Sequence, residues 1–297
     1  MPDSFMPEQW PRSLRHLLWL CQTPSLIRHR RVFDLMAALP ADYPDRISRL
    51  AACQDWLSAL ESASQRRLGL YVEELYACLM TEVLGWELLG RNIQISDGGR
   101  TLGELDFLLR NPLSGEVEHH EIAVKFYLGT HMEGPCWLGP NSRDRLDLKV
   151  ARLLEHQVRM AQHPATHALL AEMGLPQPVR SRFLLPGYLF YPDGVPMPPP
   201  PDAANRHLHG NWMRARQINE AVLQHCVVLH KPDWLGSWRQ ERKPNGTAAM
   251  EQAVRIANGA APELFAQLEW QEGHWVERRR FFLVPDHWPS LIRDKTK

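Results

Sequence analysis

Asp106, Glu121 and Lys125 interrupt the apolar runs of "GELDFLLRNPLSGEVEHHEIAVKFYLG", residues 103–129. Side chains alternate between the two faces of a strand, so Glu121 and Lys125 are predicted to share one face. Asp106 joins them if its strand pairs with theirs. Mg²⁺ takes carboxylate ligands, and a nearby lysine can orient water and stabilise developing negative charge. The three residues therefore predict either a divalent-metal site for phosphodiester hydrolysis or an ion pair between Lys125 and one of the acids.

Two predicted helices carry further polar candidates. In "RRLGLYVEELYACLMTEVLGW" a buried stripe at helical spacing ends at Gly85, with Glu74 at the edge of the stripe and Glu73 pointing away. In "NSRDRLDLKVARLLEHQVRMAQ" Gln157 falls within the inward-facing stripe. The first helix can lie beside the strands, so Glu74 is a candidate for the same site.

The pattern between these helices predicts an antiparallel meander. "WELLGRNIQI" is strand-like, Asp97-Gly98-Gly99 marks a turn, and the stretch quoted first supplies two more strands. "SRFLLPGYLFYP" is predicted as a fourth strand, and the proline-rich "PDGVPMPPPPDAANRH" is the best boundary. We expect an N-terminal helical segment over 1–65, a core over 66–192, and over 193–297 a Pro-rich loop with a Trp-rich extension packed on the core.

The segment "LGLYVEELYACLMTEVLGWELLGRNIQISDGGRTLGELDFLLR", followed by "HHEIAVKFY", resembles the core of the PD-(D/E)XK nuclease superfamily. It is similar to bacterial endonuclease-like members in which a Glu-bearing helix leads to a "GE(I/L)D" strand and then to "ExK", and to a bacterial family of uncharacterised proteins grouped with them. The resemblance covers about residues 66 to 192. It implies an α/β fold with a restriction-endonuclease-like αβββαβ core, N-terminal helices and a C-terminal α/β extension.

The resemblance also implies roles for residues. Asp106 matches the metal-binding aspartate, Lys125 the motif lysine, and Glu74 the glutamate of the leading helix. Gln157 occupies the inward side of the following helix, where relatives have a polar residue near the site. On this reading Asp106, Glu121 and Glu74 bind Mg²⁺ or Mn²⁺.

One position departs from the motif. Ala123 stands where an acid should precede the lysine by two residues, and Glu121 is the nearest acid, displaced by roughly 6 to 7 Å along a strand. Two interpretations follow. Either the acid has migrated, with a bulge or Glu74 completing the metal shell, or metal binding has been lost.

Composition sets the remaining expectations. The 34 basic and 34 acidic residues cancel, so any binding of DNA or RNA must be local. The five cysteines form no CxxC pair, and no apolar run approaches roughly 20 residues, which predicts a cytoplasmic protein that does not enter a membrane. The leading hypothesis is a metal-dependent nuclease or nuclease-like nucleic-acid-processing protein. The alternatives are an inactive descendant that binds nucleic acid or protein, and a structural protein that binds partners through exposed aromatics.

Overall fold

The computed structural model describes residues 10–132, 134–176 and 179–289. The chain has a mixed α/β fold and divides into two compact units. The first unit comprises the chain up to Val124 together with Val150–Pro186, and the second comprises Lys125–Lys149 and the chain from Gly187 onwards. Neither unit is a continuous segment, because the chain passes between them at 124/125, 149/150 and 186/187.

Helices precede the first sheet along the chain. They are α1 (Arg12–Gln22), α2 (Leu35–Ala38), α3 (Tyr43–Leu50), α4 (Gln54–Ser64) and α5 (Leu68–Cys78). The last of these continues as a π-helical turn over Leu79–Val83. Gly85 follows with a φ of 70°, which a residue without Cβ adopts at no steric cost, so the helix ends where the sequence predicts.

The first unit contains a four-stranded sheet in the order β1-β2-β3-β6. Its strands are β1 (Glu87–Asp97), β2 (Arg100–Arg110), β3 (Val117–Ile122) and β6 (Arg180–Leu184). The predicted meander is confirmed, because β1 pairs antiparallel with β2 and β2 with β3. Strand β6 returns parallel to β3.

The connection from β3 to β6 includes three helical elements. They are α6 (Leu146–Glu155), a 3₁₀ turn (Gln157–Gln162) and α7 (Pro164–Glu172). Met160 and Ala161 of the 3₁₀ turn pack against Ile95 and Leu105 of the sheet. This contact holds the 3₁₀ turn, which begins at Gln157, against the sheet.

The second unit is built on an eight-stranded sheet of the described residues, in the order β5-β4-β7-β8-β12-β11-β9, with β10 also on β12. Its strands are β4 (Lys125–His131), β5 (Pro135–Leu138), β7 (Gly187–Pro192), β8 (Leu208–Arg214), β9 (Cys226–Leu229), β10 (Arg239–Gln240), β11 (Glu263–Gln271) and β12 (His274–Val284). Its helices are α8 (Glu220–Leu223), α9 (Gly246–Ala257) and a 3₁₀ turn (Ala215–Gln217). One face of α9 is buried, with Ala249, Ala253 and Ile256 packed against Phe265 and Phe281 of the sheet.

The strand predicted to run unbroken through Glu121 and Lys125 is two strands in two sheets. The prediction of one shared face was wrong, because β3 ends at Ile122 and β4 begins at Lys125. The predicted fourth strand divides in the same way, into β6 and β7. Pro186, which separates β6 from β7, has no N–H to donate to a ladder, so "LLPGY" interrupts the pairing.

Gly187 allows β7 to begin pairing with β4 at Lys125. It pairs with Lys125 at a φ of 149°, and a Cβ there would lie 1.7 Å from the Lys125 carbonyl oxygen. Only glycine permits this approach. The segment boundaries expected at 65 and 192 stay predictions. No helix among the described residues has the length and apolar character needed to cross a bilayer.

Candidate functional site

Asp106 lies on β2 beside the end of β3. Phe107 pairs with His120, so the residue before it falls next to Glu121. The Asp106 carboxylate accepts a hydrogen bond from the Ile122 backbone N–H, 3.1 Å from Oδ2. With 9% of its surface exposed, Asp106 is largely buried.

Glu121 is held by two side chains and is 1% exposed. The Gln157 side-chain amide donates to Oε2 at 2.5 Å, and His119 Nε2 lies 2.9 Å from Oε1. The other ring nitrogen of His119 lies 3.3 Å from Ser181 Oγ on β6, the strand next to β3. The first unit thus brings together three of the predicted site residues, Asp106, Glu121 and Gln157.

The electrostatics of this cluster are unusual. Burial, and after it the negative charge of Glu121, raise the pKa of Asp106 to about 8. Burial lowers the pKa of His119 to about 4, so its ring is neutral at pH 7. A neutral His119 then donates a hydrogen bond from Nε2 to Glu121 and accepts one at Nδ1 from the Ser181 hydroxyl. Two carboxyl groups are therefore held side by side among neutral donors.

Glu74 has a different neighbour. Its Oε2 forms an ion pair with Arg91 Nη1 at 3.0 Å, and the Arg91 guanidinium lies over the Phe107 ring. Glu73, which we expected to point away, contributes negative charge that raises the pKa of Asp106. Burial also raises the pKa of Glu73 itself. Of the two helix acids, Glu73 is electrostatically coupled to Asp106.

Lys125 belongs to the second unit, where it begins β4. Its Nζ lies 2.5 Å from Oδ2 of Asp144, with the two side chains about a quarter and a third exposed. Lys125 is thus ion-paired with Asp144, whereas the ion pair expected from the sequence was with Asp106 or Glu121.

The opposite face of β3 carries a second buried network. His120 Nδ1 lies 2.6 Å from the Tyr76 hydroxyl of α5, and Nε2 lies 2.9 Å from Glu118 Oε2. Burial lowers the pKa of His120. Burial opposes ionisation of Glu118, but the hydrogen bond from His120 and the charges of Arg182 and Arg180 lower its pKa overall. The dipeptide His119-His120 therefore supplies one structural histidine to each face, a role that strand alternation alone could have indicated.

The residues present suit a hard cation in one respect. Asp106 and Glu121 offer oxygen ligands, and a cation between them would relieve the repulsion that raises the pKa of Asp106. Within the described ranges no group of three or more His, Cys, Asp or Glu side chains is arranged to hold a metal. A site here would rest on two carboxylates, the number Mg²⁺ commonly takes from protein when water and substrate supply the rest.

Comparison with known protein families gives a match over most of the chain. The family model described as a domain of unknown function (DUF1853) matches residues 15–284, which is most of the chain. No curated protein and no solved structure matches. The match spans both units.

Proposed function

We propose that this chain, which belongs to the family described as a domain of unknown function (DUF1853), is a metal-dependent phosphodiesterase of the nuclease type. The observation that carries the proposal is the pair of buried carboxyl groups at neighbouring positions of β2 and β3, with the pKa of Asp106 raised by burial and by the Glu121 charge. Strongly perturbed pKa values held by a specific charged neighbour are typical of functional sites.

The order of elements in the first unit supports the same proposal. A helix leads into three antiparallel strands, and after a helical crossover a fourth strand lies parallel to the third. This is the αβββαβ order that the PD-(D/E)XK resemblance implies. We therefore propose a restriction-endonuclease-like core for this unit.

In the proposed reaction Asp106 and Glu121 hold Mg²⁺ or Mn²⁺. The ion would polarise a phosphoryl oxygen and lower the pKa of a water molecule. Gln157 and His119 orient the Glu121 carboxylate, since each donates a hydrogen bond to one of its oxygens. Glu73 adds negative charge near Asp106 and so favours a bound cation. The role that the resemblance gives to Lys125 stays a prediction, as does the ligand role of Glu74.

A second candidate function is favoured by a different observation. Glu121 is 1% exposed, both its oxygens already accept hydrogen bonds, and Ala123 occupies the motif's acidic position. A protein that had lost the reaction but kept the fold would have these features. It would bind nucleic acid or protein without cleaving it.

One set of assays separates the two functions. Purified full-length chain is incubated with Mg²⁺ or Mn²⁺ and with double-stranded DNA, single-stranded DNA or RNA, and calorimetry measures Mn²⁺ binding. We expect metal-dependent cleavage that Asp106→Asn and Glu121→Gln abolish. Glu104→Gln, an exposed change on the same strand, should leave cleavage intact.

Circular dichroism confirms that each variant is folded. Binding of nucleic acid without metal and without cleavage would favour the second function. A chain that binds neither Mn²⁺ nor nucleic acid would contradict the nuclease function and the binding of nucleic acid by an inactive relative.

A further inference from the structure

Strand β9 forms one edge of the large sheet in the second unit. Among the described strands it has β11 as its neighbour on one side and none on the other. An edge strand presents a row of backbone N–H and C=O groups that can pair with another strand. Which of these backbone groups point away from the sheet depends on the hydrogen bonds that β9 makes with β11.

The hydrogen bonds to β11 identify these groups. The Leu268 N–H donates to the His225 carbonyl at 2.8 Å, and these two residues continue the register in which Val228 faces Phe265. Bonded and non-bonded pairs alternate along an antiparallel ladder. Val227 is therefore bonded to β11, whereas the N–H and C=O of Val228 point away from the sheet.

A cavity of about 370 Å³ lies along this edge. Its strand side is formed by Val227, Val228 and His230, and its other side by α9 and the cap residue of that helix. The residues on the helix side are Asn245, Ala248, Ala249, Glu251, Gln252 and Arg255. Consecutive strand residues point to opposite faces, so a cavity lined by both Val227 and Val228 meets the strand edge-on.

The helix side of the cavity is firmly held. The Asn245 side chain caps α9 by accepting a hydrogen bond from the Ala248 N–H at 3.3 Å. Gly246 lies so close to Gln224 that an added Cβ would come within 2.5 Å of its Cα. Ala249 is buried in the core beneath the helix, whereas Ala248 is exposed. The cavity is thus a preformed groove between an open strand edge and a fixed helix.

We propose that this groove binds an extended peptide segment of a partner protein, which adds to β9 as a further strand. The outward N–H and C=O of Val228 require a ligand with backbone donors and acceptors at strand spacing. The small Ala248 and the half-buried valines leave room for β-branched or small apolar side chains. Glu251 and Arg255, one helical turn apart, offer both signs of charge at the rim. A second copy of the chain would bring its own α9 to the edge, whereas an extended peptide brings a strand without a helix.

The probe is a library of random peptides about seven residues long, a usual strand length. The library is selected on the full-length chain, and the consensus peptide is then measured by calorimetry. A second peptide, N-methylated at alternate residues, cannot pair as a strand. We expect the consensus peptide to bind and the methylated peptide to bind at least about tenfold more weakly, the effect of roughly 1.4 kcal/mol of lost hydrogen bonding.

Two variants and two controls locate the site. Of the backbone groups, Val228→Pro removes only an outward N–H, which an edge strand tolerates. Ala248→Arg fills the groove from the exposed helix face. Each should weaken binding by about tenfold or more. Val228→Ala keeps the outward N–H and should weaken binding less than Val228→Pro does. Thr247→Arg, at an exposed position outside the groove, should change binding less than about twofold.

The outcomes are decisive in either direction. Failure to select any peptide, or a peptide whose binding neither Val228→Pro nor Ala248→Arg weakens, would overturn the proposal. A dimer in sedimentation that Val228→Pro dissociates, with no peptide binding, would assign the edge to a second copy instead. Intact thermal unfolding of the Ala248→Arg variant keeps the test valid if Val228→Pro does not fold.

Discussion

Asp106 retains its proton in the folded chain far above the pH at which an aspartate usually loses it. The pKa is about 8 because the carboxyl is buried beside Glu121. A folded-state pKa above the unfolded value means that the folded state binds the proton more tightly, so stability is lost as pH rises towards 8. His119 has the opposite effect, because its pKa is lowered to about 4, but most of this effect occurs below pH 6.5.

Above pH 6.5 the contribution of Asp106 therefore dominates within this cluster. We predict that the free energy of unfolding falls by roughly 1 kcal/mol between pH 6.5 and 8, and that Asp106→Asn removes this decrease. Asparagine can still accept the hydrogen bond from Ile122. Urea unfolding of both proteins across this range measures the difference, with Glu104→Gln as the exposed control. Parallel pH profiles of the wild type and Asp106→Asn would contradict the pKa argument.

Gln157 is a neutral donor at a position where a charge would be costly. Gln157→Glu puts a carboxyl group against Glu121 Oε2, which now accepts a hydrogen bond at 2.5 Å. Two carboxyl groups at this distance share one proton, so we expect the variant to be about 1 to 3 kcal/mol less stable than the wild type at pH 8 and nearly as stable at pH 5. Gln162→Glu, at the exposed end of the same turn, is the matched control. Equal pH dependence in the two variants would contradict the contact.

At the scale of elements, Gly187 joins β7 to β4. Gly187→Ala would place a Cβ against the Lys125 carbonyl oxygen, so β4 and β7 would have to separate locally. We expect a loss of more than about 3 kcal/mol in the free energy of unfolding, with faster hydrogen exchange of the amides of β4. Gly194 has a φ of 70° and open space around it, so Gly194→Ala should lower the free energy of unfolding by only about 1 kcal/mol. Similar costs for the two substitutions would show that the close approach is not needed.

The elements also show what the sequence can and cannot predict. The meander and the helix ending at Gly85 follow from local periodicity and turn residues. The proximity of Asp106 and Glu121 follows once their strands pair, and it is the family resemblance that predicts Gln157 beside them. The division of "HHEIAVKFY" between two sheets does not follow. A run of apolar residues has the same local pattern whether it forms one strand or two strands in different sheets. The local signal is Pro186-Gly187, and it lies at the break between β6 and β7, the strands that pair with β3 and β4. Strand pairing is a long-range property, and the assignment of Lys125 to a shared face failed for that reason.

On the scale of the whole molecule, the two compact units interleave along the chain. Strands β4 and β7 lie in the sheet that also contains β8, β9, β11 and β12, all of which come after residue 192. The proline-rich loop that marks the best boundary in the sequence therefore separates strands of one sheet. Composition predicts where regular structure stops, but it does not predict which strands pair across the loop.

This interleaving makes truncation at the loop informative. A fragment of residues 1–192 would keep β4, β5 and β7 but leave β7 without its partner β8, exposing an unpaired edge and the ring of Phe190, which packs on Phe282. We predict that this fragment aggregates or unfolds without cooperativity, whereas the full chain unfolds cooperatively. Size-exclusion chromatography and thermal unfolding by circular dichroism measure both properties. A monomeric fragment with a sharp transition would mean that the segment up to 192 folds as an independent domain, because its strands would then need no partner from the rest of the sheet.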